Sequence, residues 1–315
     1  MGFPAGLVTL IVNPAAGRGT EFLRYAQSQE CSALLAEYGC RVQVWVTGSE
    51  AGSATDLARC AVVNSTLVLA CGGDGTVHEV IQGVAGTGVA FGVVPVGTHN
   101  ALAGCLGLRE GVEGLQQLLA FEPVGIPLGV MDAKDGQQWF GLMCGVGASG
   151  ALAHALAGVR GAGWKKRYGR LGYLVAAGWL FCSRSWPEFV VEYKLAGSQD
   201  WVETSAVEVL VSRVPNLGGV FGGLTPETSF ASKLLQVQLV RGPLHLGLLA
   251  WMTLTRMGVW NPWVKTVEVE RLRCRAVGGE AVAVQADAEP MGFLPIALRV
   301  AQDAVTMMLP VGGVK

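Results

Sequence analysis

Charge is scarce in this chain. Asp, Glu, Lys and Arg make up 15% of its 315 residues, and 23 basic against 24 acidic side chains leave a formal charge of −1. So little charge, with 51% apolar residues and a mean hydropathy of +0.42, excludes a disordered or coiled-coil chain. It also removes the broad positive footprint that nucleic acid requires, so any bound anion must be held by local geometry. Paired cysteine motifs are missing as well. None of the eight cysteines (31, 40, 60, 71, 105, 144, 182 and 274) forms a C-x-x-C pair, and most sit in apolar stretches, where they read as small core residues in a reducing compartment. Uninterrupted membrane-length runs are absent: Leu171 to Cys182 is too short, and Leu244 to Trp263 is broken by His245, Arg256 and Asn261. The opening MGFPAGLVTLIVNP has no basic n-region and only a six-residue, largely apolar run before Asn13 and Pro14, so a secretory signal is not expected. Neither G-x-x-x-x-G-K-[ST] nor a G-x-G-x-x-G after the first strand is present, which disfavours the P-loop and dinucleotide folds.

What is abundant is glycine, at 45 residues, roughly double the usual share and without a collagen period. Many loops must therefore turn tightly or lie close to a ligand. The length is about twice the commonest domain size, so two domains or one large α/β unit is expected. Four apolar, partly β-branched runs, Leu7 to Val12, Val42 to Val46, Leu67 to Ala70 and Phe91 to Pro95, read as strands. Between them lie helical spacings such as Val77, Val80, Ile81 and Val84. Strand alternating with helix implies a doubly wound parallel sheet. Each strand is followed by a small, polar loop: Asn13-Pro-Ala-Ala-Gly17, Thr47-Gly-Ser-Glu-Ala-Gly52, Gly72-Gly-Asp-Gly-Thr76 and Gly97-Thr98-His99-Asn100. In an open parallel sheet these loops lie along one edge, at the carboxyl ends of the strands, where ligands bind.

The third loop carries the most chemistry. Gly72, Gly73 and Gly75 permit positive φ and bare amides close to an anion, and a helix starting near Thr76 points its positive end the same way. Asp74 would repel phosphate unless a divalent cation lay between them, so a Mg²⁺-bound triphosphate is the natural ligand. His99 has no titrating partner nearby in sequence and reads as a loop residue.

From about Val124 the pattern becomes strands and turns, with Asp135-Gly136 as a hairpin turn, alternation over 189 to 193 and 207 to 211, and helical stretches near 149 to 158 and 170 to 183. A boundary near 124 to 128 follows, giving an α/β domain over 1–125 and a β-rich domain over 126–315 whose last strand returns to the first domain in one arrangement. Trp164-Lys-Lys-Arg-Tyr-Gly-Arg170 places four cations before an apolar helix, and Trp251, Trp260 and Trp263 flank another. The cations suit phosphate clamping or anionic lipid heads and equally an exposed basic turn, while the tryptophans suit a bilayer interface and about as well a buried core. Asp287-Ala-Glu289 follows a strand over 281 to 286 and, read as extended chain, presents its two carboxylates on opposite sides. Only one of them can face a cleft.

NPAAGRG at 13 to 19, CGGDGTVHEV at 71 to 80, PVGTHNALAGCLGL at 95 to 108 and QADAEPM at 285 to 291, in this order, resemble the diacylglycerol kinase catalytic-domain family, which includes bacterial lipid kinases and the sphingosine and ceramide kinases. The resemblance implies an N-terminal nucleotide domain, a mainly antiparallel C-terminal domain and an active site between them. It further implies that Asn13, Thr47, the loop of Gly72, Gly73, Asp74, Gly75 and Thr76, and the loop of Gly97, Thr98 and Asn100 contact ATP. Glu79, on the first turn of the next helix, would support the loop, and Mg²⁺ would sit near Asp74 with the nucleotide. Asp287 and Glu289 align with the family's Asp-Gly-Glu, where a carboxylate accepts the proton of a lipid hydroxyl. Three departures stand out. Ala288 replaces the glycine of that triplet. Gly147-Ala-Ser149-Gly150 stands where many relatives have Gly-Phe-Asp-Ala, so a head-group carboxylate is missing. Ser229-Phe-Ala-Ser-Lys233-Leu-Leu stands where bacterial members have Asp-Asp-Gly-Leu-Leu, so their structural Mg²⁺ is not expected here.

The resulting expectation is a cytoplasmic, ATP- and Mg²⁺-dependent lipid kinase, peripheral to the membrane and without a nucleic-acid partner. Diacylglycerol, a long-chain base and an undecaprenyl-like alcohol all present a hydroxyl beside an apolar tail, so the acceptor stays open. A kinase for NAD or a soluble polyol, and a catalytically silent nucleotide- or lipid-binding relative, are the alternatives.

Overall fold

The structure is a computed structural model that describes residues 2–98, 100–159, 186–214, 228–245 and 264–312. His99, the basic cluster at 164 to 170, the helical stretch at 170 to 183 and the tryptophans at 251, 260 and 263 lie outside those residues. Among the described residues no helix is long and apolar enough to cross a membrane.

The chain alternates at first: β1 (Gly6–Val12), α1 (Gly19–Ala26), α2 (Gln29–Ala36), β2 (Cys40–Val46), α3 (Ser53–Ala61), β3 (Leu67–Gly72), α4 (Asp74–Val84), β4 (Ala90–Pro95), α5 (Ala101–Cys105) and α6 (Val112–Leu118). It then becomes strand-rich: β5 (Phe121–Ala133), β6 (Gly136–Phe140), β7 (Met143–Gly147), α7 (Ala148–Val159), β8 (Phe189–Leu195), β9 (Trp201–Ala206), β10 (Glu208–Ser212), β11 (Leu235–Val240), β12 (Val264–Ala276), β13 (Ala283–Ala286), β14 (Glu289–Phe293) and β15 (Ile296–Pro310).

β1 to β4 pair in parallel in the order β2-β1-β3-β4. The apolar runs are continuous because both faces of this sheet are covered. In β3, Leu67, Leu69 and Cys71 face one way, onto Phe22 of α1, Leu35 of α2 and Leu118 of α6. Val68 and Ala70 face the other, onto Ala58 of α3 and Val80 and Ile81 of α4. The strands of the second half are antiparallel, and their core gathers Phe189, Tyr193, Val209, Val237, Val284 and Leu298. The expectation of an α/β fold with an antiparallel second part is met.

One ribbon joins the two parts. β15 pairs antiparallel with β5 from Ile296 to Pro310, also pairs with β12 at its start, and meets β4 in parallel at Thr306 and Met307. The boundary expected at 124 to 128 falls inside β5, which runs uninterrupted through it. The hairpin after β5 turns through Lys134 and Asp135, and Gly136 opens β6. Of the described cysteines, Cys31, Cys40, Cys71, Cys144 and Cys274 are buried as expected, while Cys60 is exposed.

Candidate active site

The four loops meet at the carboxyl end of the parallel strands. Asn13 N–H donates to Cys71 O at 3.0 Å, Thr47 N–H to Val12 O at 3.0 Å and Arg18 N–H to Val96 O at 2.8 Å, which ties the first loop to its three neighbours. The glycines serve this close approach. A Cβ on Gly17 would lie 2.8 Å from Val96 O, one on Gly97 would collide with the Gly73 backbone, and one on Gly72 would collide with Thr76. Gly72, Gly73 and Gly75 do not adopt positive φ, which corrects the reason expected for them. α4 begins at Asp74, with Gly73 as an N-cap that supplies no side-chain bond, so its first amides have no intrahelical acceptor.

Several expected ligand contacts turn out to brace the loops. Asn13 Nδ2 donates to Thr76 Oγ1 at 3.0 Å, and Asn13 Oδ1 accepts from Ala15 N at 3.0 Å. Asn100 closes its own loop, accepting from Gly97 N at 3.2 Å and donating to Gly97 O at 2.9 Å. Thr98 is exposed. Asp74 Oδ1 accepts from Ala101 N at 2.7 Å, fastening the glycine loop to the start of α5. Glu79 lies on the second turn of α4, not the first, and accepts from Gly52 N at 3.1 Å and Ala54 N at 2.9 Å. It thereby caps α3, whose own N-cap Gly52 has no side chain to do so. Thr47 Oγ1 is buried without a hydrogen-bond partner among the described residues. Next to it, Gly48, Ser49, Ala51, Ser53 and Leu57 line a surface depression. A buried hydroxyl in that state costs about 1–3 kcal/mol unless a ligand meets it.

The distal part contributes the β13–β14 hairpin. Ala286 pairs with Glu289, and the two residues between them, Asp287 (φ 50°) and Ala288 (φ 66°), form a type I′ turn. The segment is therefore a tight turn and not the extended chain expected. Its carboxylates still diverge. Glu289 Oε1 reaches the glycine loop and would lie 2.8 Å from a Cβ on Gly75. Asp287 turns inward and is 3% exposed. Its Oδ1 accepts from Leu142 N (2.8 Å) and Met143 N (2.9 Å), and its Oδ2 from Gly141 N (2.9 Å) and the His78 ring at Nδ1 (3.2 Å). Four donors occupy it, which corrects its place among the proton acceptors. An alanine at φ 66° is strained by about 1–2 kcal/mol, partly offset by glycine's entropy. Ala288→Gly is accordingly expected to raise unfolding stability by about 0.5–1 kcal/mol in chemical denaturation.

Sequence reasoning missed a buried acid beside Ser149. Glu208 of β10 accepts from Ser149 Oγ at 2.5 Å and Ser149 N at 3.1 Å, at the start of α7. The acid beside Ser149 is thus supplied by β10 and is buried, 1% exposed. The signal was a lone Glu inside the apolar run Val207 to Val211. Burial pushes its pKa up to about 8, and the bonds from Ser149 and the Ala148 amide pull down without offsetting this. The folded protein therefore holds a proton that the unfolded carboxylate releases above its ordinary 4.5, so this site's stability contribution falls from pH 4.5 to 8. Glu208→Gln should flatten that decline in denaturation midpoints measured across the same range.

Among the described residues no group of three or more His, Cys, Asp or Glu is placed to hold a metal. The loop at 229 to 235 does not fit a structural cation. Its Leu234 carbonyl accepts from the buried Arg213 guanidinium at 2.9 Å, which also donates to Pro127 O at 3.3 Å. Burial lowers the Arg213 pKa only to about 10, so a positive charge already occupies this position.

Fold and site together define a parallel-sheet loop cluster faced by a carboxylate from a second β unit. Residues 7–129 match the model of the diacylglycerol kinase catalytic domain, which bears out the resemblance carried by the motifs. A Mycobacterium tuberculosis protein named "Diacylglycerol kinase" is 29% identical over 54% of this chain and 54% of its own length. A Xanthomonas campestris protein named "Probable lipid kinase YegS-like" is 34% identical over 47% of this chain and 48% of its own. The matches thus span about half the length of these relatives. Among solved structures, a diacylglycerol kinase from Bacillus anthracis superposes with a TM-score of 0.68 at 19% identity, covering 100% of both chains. Yeast NADH kinase complexed with NADH reaches 0.53 at 11% identity, covering 98% of this chain and 83% of its own. These likenesses show the fold.

Proposed function

We propose that this protein is a lipid kinase that transfers the γ-phosphate of ATP to the hydroxyl of a lipid alcohol. The observation that carries the reading is the Glu289 carboxylate against Gly75, an acid from one part of the chain brought to the amides of the other. The loop of residues 72 to 76 would receive phosphate oxygens on its N-terminal helix amides. The unpartnered Thr47 hydroxyl and the depression at Gly48 to Leu57 would take the rest of the nucleotide. A divalent cation entering with the triphosphate would be held near Asp74, and when bound it offsets charge on the phosphates.

Glu289 then orients the acceptor hydroxyl. That hydroxyl ionises roughly 12 pH units above a carboxylate, so it is not deprotonated before attack. Glu289 takes its proton late, as bonding to phosphorus develops, in keeping with a loose phosphoryl transfer. The names of the two relatives and the matched domain support a lipid acceptor. The test is a panel of lipid alcohols in mixed micelles with γ-labelled ATP. Label partitioning into the organic phase is expected; label found only in aqueous product favours a soluble acceptor, and no transfer to any acceptor favours a silent binding protein.

A further inference from the structure

We infer that His78 is a positioning residue that couples the glycine loop to Glu289, an assignment that rests on the kinase reading above. His78 lies one turn into α4, the helix that starts at the loop, and is 4% exposed. A histidine buried this deeply must be held by specific partners. Its Nδ1 faces Asp287 Oδ2 at 3.2 Å, and its Nε2 faces Gln82 Nε2 at 3.5 Å.

Asp287 decides the direction of this contact, and Gln82 closes the far side of the ring. Gln82 Oε1 accepts from Trp139 N at 2.8 Å and its Nε2 donates to Trp139 O at 2.8 Å, so the backbone of β6 fixes which end is the amide nitrogen. Gln82 Nε2 also donates to His78 O at 3.1 Å, so its two hydrogens are already placed and its 3.5 Å approach to the ring does not set the tautomer. Both Asp287 oxygens already act as acceptors for backbone amides, so the ring atom that faces Oδ2 at 3.2 Å, Nδ1, carries the proton and donates it.

The consequence reaches Glu289 through the turn. Three of the four donors on Asp287, the amides of Gly141, Leu142 and Met143, come from the β6–β7 connection and the first residue of β7. The fourth is His78, the one that comes from the nucleotide-side helix. It sets where the type I′ turn sits against α4, and Glu289 is two residues beyond Asp287. Without it, the turn is still held by its own part of the chain but is no longer registered to the loop. A displacement of about 1 Å at a reacting group costs about 10²-fold in rate.

The experiment uses the full chain and three proteins, wild type, His78→Leu and His78→Asn, the last retaining an N–H near the Nδ1 position. His78→Leu is expected to lose about 10²-fold in kcat with KM for ATP within about two-fold, and His78→Asn to recover kcat to within about five-fold of wild type. A wild-type kcat in folded His78→Leu overturns the assignment, as does a folded His78→Asn no better than His78→Leu. Long-range ¹⁵N–¹H correlation on the wild-type ring gives a reading independent of the variants' folding and of turnover. A proton on Nδ1 supports the assignment and a proton on Nε2 overturns it. If wild type transfers no phosphate while the ring proton is on Nδ1, it is the kinase reading that fails, and the positioning role for transfer falls with it.

Discussion

Glu289→Gln is expected to lower kcat by about 10²–10⁴-fold, the range seen when a positioned proton acceptor is removed. Glutamine keeps the size and reach of the side chain, so its packing against Gly75 survives, but it cannot take the proton of an acceptor hydroxyl. Glu289 is only partly buried, and no large change in stability should accompany the loss. KM for ATP should stay within about two-fold, because the carboxylate belongs to the acceptor side of the reaction. Steady-state kinetics together with a thermal melt of the same preparation separate these effects.

The second large effect is on folding. Asp287→Ala should destabilise the protein by about 3–5 kcal/mol, the cost of leaving buried partners of a charged group without it. Three amides and one imidazole lose their acceptor in a region closed to water. The substitution also places alanine at φ 50°, where aspartate is better tolerated. His78→Leu removes one of the four donors and keeps the carboxylate satisfied by three amides, so its destabilisation should be clearly smaller. Chemical denaturation of the two variants side by side checks that order. Equal losses would mean that the amide cradle contributes little.

These two carboxylates show how far the sequence could be read. The strands of the first part were legible because burial on both faces makes Leu67 to Ala70 and Phe91 to Pro95 continuous apolar runs. Convergence of the four loops followed from parallel topology alone. The closeness of the glycine loops was legible too, though its cause is tight backbone packing and not left-handed φ. The division of labour between Asp287 and Glu289 was hidden, because the donors that fix Asp287 lie 144 to 146 residues away along the chain, in Gly141 to Met143. His78 left a weak trace: with Gln82 it forms a polar i, i+4 pair beside the apolar stripe of α4. Glu208 left a clearer one, a single acid in a buried strand, although its partner Ser149 lies 59 residues away along the chain.

The most direct test of the central claim is phosphate transfer by Gly75→Ala, measured with γ-labelled ATP and lipid alcohol in mixed micelles beside a thermal melt. Gly75 has helical backbone at the start of α4, so alanine fits there and should leave the melting temperature unchanged or slightly higher. Its methyl group, however, would lie 2.8 Å from Glu289 Oε1, and the flexible carboxylate would be pushed off the loop. The account predicts a folded protein whose transfer falls by about 10²-fold or more. A folded Gly75→Ala protein with wild-type transfer would contradict it.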